Sequence, residues 1–266
     1  FELDSFNDIE KHHLGHLDKI LVCSEWARQI IIDKVPCIPP NVHVVPLGVD
    51  MDIFNPAKST REETVFLNVG KWEVRKGHDI LVNAFNEAFS DDDNVELWMM
   101  CTNPFYTDEE NTQWSNHYKS SKLGGKVRII PRQRSKKEVY NIMAQSDCGV
   151  FPSRAEGWNL EIIEMMACGK KIITTDYSAH TEFCNPENAS LIQINEKEPA
   201  HDGKWFKGQG AWAKITPENI TQLAEHMREV HEQKSSGSNI ENSKGIETAR
   251  NLSWKNSAEK IISYIE

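Results

Sequence analysis

Nothing in this 266-residue sequence announces a membrane, a disulfide framework or a nucleic-acid partner. It has no uninterrupted apolar run of about 18 residues, the length a membrane span needs, and no charged-then-apolar start of the secretory kind. No transmembrane segment is expected. The six cysteines (Cys23, Cys37, Cys101, Cys148, Cys168 and Cys184) contain no Cys-x-x-Cys pair and no close histidine spacing of the zinc type. Reduced, mostly buried thiols and a cytoplasmic compartment are therefore expected. Positive charge is in deficit: 30 Lys and Arg stand against 40 Asp and Glu, a net charge of -10, which argues against affinity gained on a phosphate backbone. The sequence also lacks both Gly-x-x-x-x-Gly-Lys-Ser/Thr and Gly-x-Gly-x-x-Gly, so a nucleoside triphosphatase or a dehydrogenase loses its main support. No methionine opens it either, and a start at Phe1 points to processing or truncation.

What the sequence has is alternation. Short β-branched or apolar runs at 19–23, 64–70, 95–100, 127–131, 148–151, 171–174 and 191–194 are separated by amphipathic stretches, clearest at 25–33, 76–89, 136–145, 159–168 and 217–231. Strands alternating with helices predict a parallel sheet covered on its faces. From Val35 to Pro56 stand five prolines (Pro36, Pro39, Pro40, Pro46 and Pro56) and Gly48, a composition that forbids a long helix and marks a connection between domains. The polar stretch from Asn103 to Gly125 reads as an insertion with its own helix. The run from Gln233 to Asn239, which holds Ser235, Ser236, Gly237 and Ser238, reads as a flexible break between late helices, and residues 252–266 as a closing amphipathic helix.

Two segments carry the chemistry, each at the end of a predicted strand. One is Phe151-Pro-Ser-Arg-Ala-Glu-Gly-Trp-Asn-Leu-Glu-Ile-Ile-Glu-Met-Met-Ala-Cys-Gly169. Its strand ends at Pro152, a turn holds Glu156 and Gly157, and a helix of strong helix formers follows. The first amides of such a helix have no partner within it and sit at the positive end of its dipole, so a diphosphate fits there. Glu156 and Glu164, eight residues apart, project at different depths. One can reach the sugar end of a ligand held at the helix terminus, and the other its ribose. Taken alone, Glu161 and Glu164 read as well as solvated helix acids. The other segment is Leu67-Asn-Val-Gly-Lys-Trp-Glu-Val-Arg-Lys-Gly77, a strand ending in glycine, a polar loop and a helix. Here Lys71, Arg75 and Lys76 are candidates to touch phosphate oxygens, or else solvated loop ends.

With Ser24-Glu25 after a strand, Val45-Pro-Leu-Gly-Val-Asp50 followed by Phe54, and Leu252-Ser-Trp254 near the end, these segments resemble the family 4 (group 1) retaining glycosyltransferases of the GT-B fold. The likeness runs over almost the whole chain, and the Glu-x7-Glu block followed by Ala-Cys-Gly169 is its specific part. It implies an α/β fold with a Rossmann-like doubly wound parallel sheet. Residues 1–47 would be the end of an N-terminal acceptor domain and linker, 48–250 the nucleotide-sugar (donor) domain, and 251–266 a helix packing back toward the truncated N-terminal domain.

The implied reaction moves a sugar from a nucleoside diphosphate sugar, a UDP- or GDP-sugar, to an acceptor with retention of anomeric configuration, with no cofactor and no metal. Carried over by position, Lys76 grips the donor diphosphate and Glu156 lies near the transferred sugar, and these two are the catalytic candidates. Glu164 holds the ribose, Arg132 with Pro131 and Gln133 borders the base, and the amides of Trp158, Asn159 and Leu160 receive the phosphates. Lys71 stands where the family usually has an arginine. A lysine keeps the charge but loses the bidentate fork, which shifts weight to Lys76 and the helix amides. The acceptor, a glycan or a lipid-linked saccharide, would be bound through the missing N-terminal domain, and a membrane association of the full-length enzyme stays open. For that reason the alternative is a non-catalytic nucleotide-sugar binding module; an epimerase of the same fold lacks the Glu156 to Gly169 block.

The remaining polar and aromatic clusters are expected to be bystanders or to play either of two parts. Asp50-Met-Asp52 has the form of a divalent-ion motif but falls in the proline-rich connection, Asp91 to Asp93 read as a solvated turn, and His12, His13 and His16 as a wet helix face. Ser178 and His180 either contact the sugar or serve as a helix cap and a solvated side chain. Trp205, Phe206 and Trp212 form either a packed loop or an acceptor-side surface.

Overall fold

The computed structural model describes residues 2–35 and 41–265. Pro36, Cys37, Pro39 and Pro40 of the expected connection, with the terminal Phe1 and Glu266, lie outside the described residues. The chain runs α1 (Asp8–Gly15), β1 (Ile20–Val22), α2 (Glu25–Lys34), β2 (Val42–Val44), β3 (Thr64–Val69), α3 (His78–Ala88), β4 (Val95–Met100), α4 (Asp108–Lys119), β5 (Val127–Ile129), α5 (Lys136–Gln145), β6 (Cys148–Phe151), α6 (Leu160–Ala167), β7 (Lys171–Thr175), β8 (Ser190–Ile192), β9 (Lys197–His201), β10 (Lys207–Ala213), α7 (Pro217–Ser235), α8 (Ser243–Asn251) and α9 (Trp254–Ile265).

Six parallel strands form the main sheet in the order β5-β4-β3-β6-β7-β8. Its first strand in the chain, β3, lies inside the sheet, and the chain winds outward first to one side and then to the other. That is the doubly wound order expected from the sequence, and it leaves a crevice at the carboxyl ends of β3 and β6, where the winding reverses. The inner strands are mostly apolar along their whole length because both faces are covered. Along β3, Val65 and Leu67 face one core with Ile162, Ile163 and Met166 of α6, while Phe66 faces the other with Leu81 and Phe85 of α3 and Met227 of α7. Full burial of three consecutive side chains is the period of two seen from both sides of a sheet.

The first strand expected from the sequence does not join this sheet. β1 pairs in parallel with β2, Ile20 opposite Val42, and the pair shares a small separate core with Phe6, Ile30 and Ile31. The closing helix α9 lies against β2 and the segment after it: His43 stacks on Tyr264 at 4.0 Å, and Ser257 donates to the Pro46 carbonyl at 2.6 Å. The insertion carries α4 as expected, started by a capping box between Thr107 and Glu110.

Several elements differ from expectation, among them α7, which runs on to Ser235, past the expected end at His231 and into the expected flexible break. α3 begins at His78 rather than at Lys76, because Gly77 takes φ 74° and turns the chain before the helix. α6 begins at Leu160, with Asn159 at φ 77°. β9 and β10 form an antiparallel hairpin that no alternation of apolar residues announced; Gly208 and Gly210 bend it at positive φ. Among the described residues no helix is long and apolar enough to cross a membrane.

Candidate functional site

The loop after β3, residues 70–77, and the loop after β6, residues 152–159, stand side by side at the crevice. They approach so closely that a Cβ on Gly77 would sit 2.1 Å from the Pro152 carbonyl oxygen. Arg154 fastens them: its guanidinium grips Asp79 with two bonds of 2.8 Å, and its backbone amide donates to the Arg75 carbonyl at 2.6 Å. Above the loops opens a cleft of about 740 Å³, lined among others by Lys71, Arg132, Lys136, Glu156, Asn159 and Glu164. A cavity of that size suits one nucleotide-sized ligand.

Glu156 is the hub of the cleft floor. It is 4% exposed and receives Lys76 Nζ at 2.9 Å, Arg75 Nη1 at 3.0 Å and Ser153 Oγ at 2.8 Å. Burial alone would raise its carboxyl, yet Lys76 and Arg75 hold it well below the usual carboxylate range. The buried Lys76 ammonium, disfavoured by desolvation, is in turn raised by Glu156. Arg75 bridges Glu156 to Glu73, which also meets Lys71 at 3.3 Å. His78 supports this charge cluster from below. Its Nδ1 accepts the Glu73 amide at 3.0 Å and its Nε2 donates to Asn68 at 3.0 Å, so both ring nitrogens serve a neutral imidazole. Burial first, then Lys76 and Arg75, push its pKa down to about 3.

Glu164 sits on the opposite wall, on α6, in an ion pair with Lys136 at the start of α5. Burial raises its carboxyl, and the Lys136 ammonium works against that rise. Between the two acids lies the start of α6, where Asn159 makes no side-chain cap bond. The first amides of α6 therefore remain as donors for a ligand.

Most of the residues expected to act together are brought together: Lys71, Arg132, Glu156, Trp158, Asn159, Leu160 and Glu164 all line the one cleft. Lys76 does not line it. It lies behind Gly70, its chain so near that a Cβ there would meet Lys76 Cδ at 3.0 Å, and its charge is held by Glu156. Arg75, expected as a phosphate contact or a loop end, is buried between Glu73 and Glu156, whose two carboxylates balance the charge it takes out of water. Ser178 is no helix cap: its hydroxyl accepts the Glu156 amide at 2.8 Å. His180 is fully buried and not solvated; its Nε2 donates to the Thr175 carbonyl at 2.6 Å, and burial lowers its pKa. The aromatic cluster divides. Trp212 and Phe206 pack at 5.3 Å, whereas Trp205 is exposed and meets exposed Phe105 edge-on at 6.5 Å.

Lys136 escaped the sequence reading, although Ser135 and Glu138 form a capping box that places it in the first turn of α5. That box was the available signal. Asp50 serves a turn, accepting the Asp52 amide at 3.0 Å, and among the described residues no cluster of three or more His, Cys, Asp or Glu side chains is gathered around one point.

A doubly wound parallel sheet with a cleft at its switch point, walled by acidic and cationic side chains, is the architecture in which open α/β folds receive their ligands. The profile of the family described as glycosyl transferases group 1 matches residues 63–202, more than half of the chain, and the chain belongs to that family. It is 23% identical over 200 residues to a putative glycosyltransferase of a Sulfolobus islandicus filamentous virus, covering 74% of this chain and 53% of the relative. It is 25% identical over 179 residues to a probable sucrose-phosphate synthase of Thermosipho melanesiensis, covering 65% and 41%. The chain thus spans about half the length of the curated relatives it matches, or less. Among solved structures, the sucrose-phosphate synthase of Thermosynechococcus elongatus superposes with a TM-score of 0.75 at 20% identity, over 96% of this chain and 59% of the other. Anabaena HepE in complex with UDP-glucose gives a TM-score of 0.73 at 14% identity, over 96% and 66%. These likenesses establish the fold.

Proposed function

We propose that this chain holds a nucleoside diphosphate sugar in the switch-point cleft, as the donor-binding part of a glycosyltransferase that retains anomeric configuration. The observation that carries the reading is the pairing, across one cleft, of the uncapped start of α6 with the buried Lys76, Glu156 and Arg75 cluster. The diphosphate lies on the amides of Trp158, Asn159 and Leu160 with Lys71 beside it, the base lies toward Arg132, and Glu164 accepts from the ribose hydroxyls. Glu156 faces the transferred sugar.

The chemistry follows from where charge develops. As the bond from the anomeric carbon to the diphosphate breaks, the sugar becomes cationic and the leaving oxygen anionic. Glu156, ionised throughout the working pH range, stabilises the first, and the helix amides with Lys71 and Lys76 stabilise the second. Preorganised donors of this kind contribute roughly 3–4 kcal/mol each to such steps. Lys76 can turn from Glu156 to the phosphate without stranding a buried carboxylate, because Arg75 and Ser153 still hold it. No divalent ion is needed for this division of charge, and the free thiols of Cys23, Cys101, Cys148, Cys168 and Cys184 suit a reducing, cytoplasmic setting.

Calorimetric titration of this chain with UDP, GDP, UDP-glucose and GDP-mannose tests the reading. Binding of one of the nucleotide sugars in the micromolar to millimolar range, unchanged by excess chelator, is the expected outcome. Absence of binding to all four at millimolar concentration would end it, and a requirement for added manganese would end its metal-free part.

A further inference from the structure

Seven buried side-chain nitrogen or oxygen atoms among the described residues have no hydrogen-bond partner, and three of them belong to two consecutive residues at the cleft: Trp158 Nε1 and both polar atoms of the Asn159 carboxamide. Each such group destabilises the fold if left unsatisfied. Asn159 is 5% exposed, lines the cleft, and holds φ 77° and ψ 75° just before α6. An asparagine before a helix ordinarily accepts an amide of the first turn, and this one does not. Glycine would fit the left-handed backbone without strain and would leave no orphaned amide. Neither the helix nor the turn uses this side chain.

We propose that the Asn159 carboxamide, with Trp158 Nε1 beside it, binds the hydroxyls of the transferred sugar and so sets which donor the cleft prefers. The proposal rests on the donor reading above. A carboxamide presents a donor and an acceptor side by side. Phosphate oxygens only accept, so a diphosphate completes half of it; a pair of sugar hydroxyls both donates and accepts, and completes the whole. Position agrees with this chemistry, because in the chain Asn159 stands between Glu156 and α6, and all three border the one cleft. Trp158 is fixed for its part by its ring against Phe183 at 4.9 Å.

The test compares Asn159→Gly with the wild type in calorimetric titrations with UDP, UDP-glucose, UDP-N-acetylglucosamine, GDP and GDP-mannose. The quantity read is the gain in affinity of each nucleotide sugar over its nucleoside diphosphate. For the best donor, Asn159→Gly is expected to lose about tenfold of that gain, the worth of two neutral hydrogen bonds, and because the gain is a ratio within each protein, any change of UDP or GDP affinity from the altered backbone cancels. Its thermal unfolding is expected at or above the wild-type temperature, since glycine suits the backbone. An unchanged gain, a parallel loss for the bare nucleotide, or a clear drop in stability would each overturn the proposal by assigning the side chain to nothing, to phosphate or to the fold. A wild type that binds nucleotides but gains nothing from the sugar overturns this proposal and leaves the donor reading standing. A wild type that binds none of the five overturns both.

Discussion

Replacing Glu164 by alanine should separate a ribose contact from a structural ion pair. In the unliganded protein its carboxylate meets Lys136 from α5 and is otherwise buried in the cleft wall. Two ribose hydroxyls donating to it would make charge-assisted hydrogen bonds of roughly 1.5–3 kcal/mol each. Part of that gain is offset, since the carboxylate already has Lys136 and must share it. A net loss of roughly 1.5–3 kcal/mol for the variant is therefore expected, about ten- to a hundredfold in affinity. The assay is calorimetry with UDP and with its 2′-deoxy and 3′-deoxy analogues. The wild type should lose affinity when either hydroxyl is removed, whereas Glu164→Ala should bind UDP and its deoxy analogues alike. Full, undiminished penalties for the deoxy analogues in the variant would refute the assignment, even if the variant bound UDP weakly, because the loss would then come from the disturbed Lys136 pair and not from the ribose.

Lys76→Met should weaken UDP roughly tenfold or more while leaving uridine, which has no phosphate, unaffected; equal losses for both would place Lys76 in the fold alone. His78 makes the fold acid-sensitive. It stays neutral when folded, with a pKa near about 3, but protonates below its ordinary value of 6.5 when unfolded, so the unfolded chain takes up more protons and stability falls as pH falls. Chemical denaturation between pH 6 and pH 4 should show a slope of about 1.4 kcal/mol per pH unit from this group, and a His78→Gln variant should lose that increment. Gly77→Ala should destabilise by roughly 2–4 kcal/mol in urea titration, since the new Cβ meets the Pro152 carbonyl oxygen at 2.1 Å on a backbone with φ 74°. A cost under about 1 kcal/mol would show that the two loops can part easily.

Much of the cleft was legible before any fold was seen, for a local reason. The strand, turn and helix around Glu156 to Gly169 are set by neighbours in the chain: apolar residues to Phe151, a break at Pro152, strong helix formers from Leu160. So are the strand of Val65 to Leu67 and the glycine that ends it. The parallel sheet followed from strands alternating with helices, and its doubly wound order from the family resemblance carried by motifs in a fixed order. Nine of the twenty residues lining the cleft belong to the two motif segments, because both follow strands that end at the same edge, and most of the others come from the ends of β4 and β5 and the start of α5.

What the sequence could not determine is which partner each charge takes once distant segments meet. Glu156 and Lys76 are eighty residues apart, and only the adjacency of β3 and β6 turns them, with Arg75, into one buried cluster. The same holds for Lys136 and Glu164, joined across the cleft from α5 and α6. The hairpin of β9 and β10 was invisible because its strands bury little of their own and owe their shape to glycines and to packing of Trp212 against Ala155 and Ala200. Local propensity and pattern decide which elements form and where a ligand can be received. Burial and pairing, which depend on the whole fold, decide which of those side chains carry charge, which are already held, and which, like Asn159, are left for the ligand.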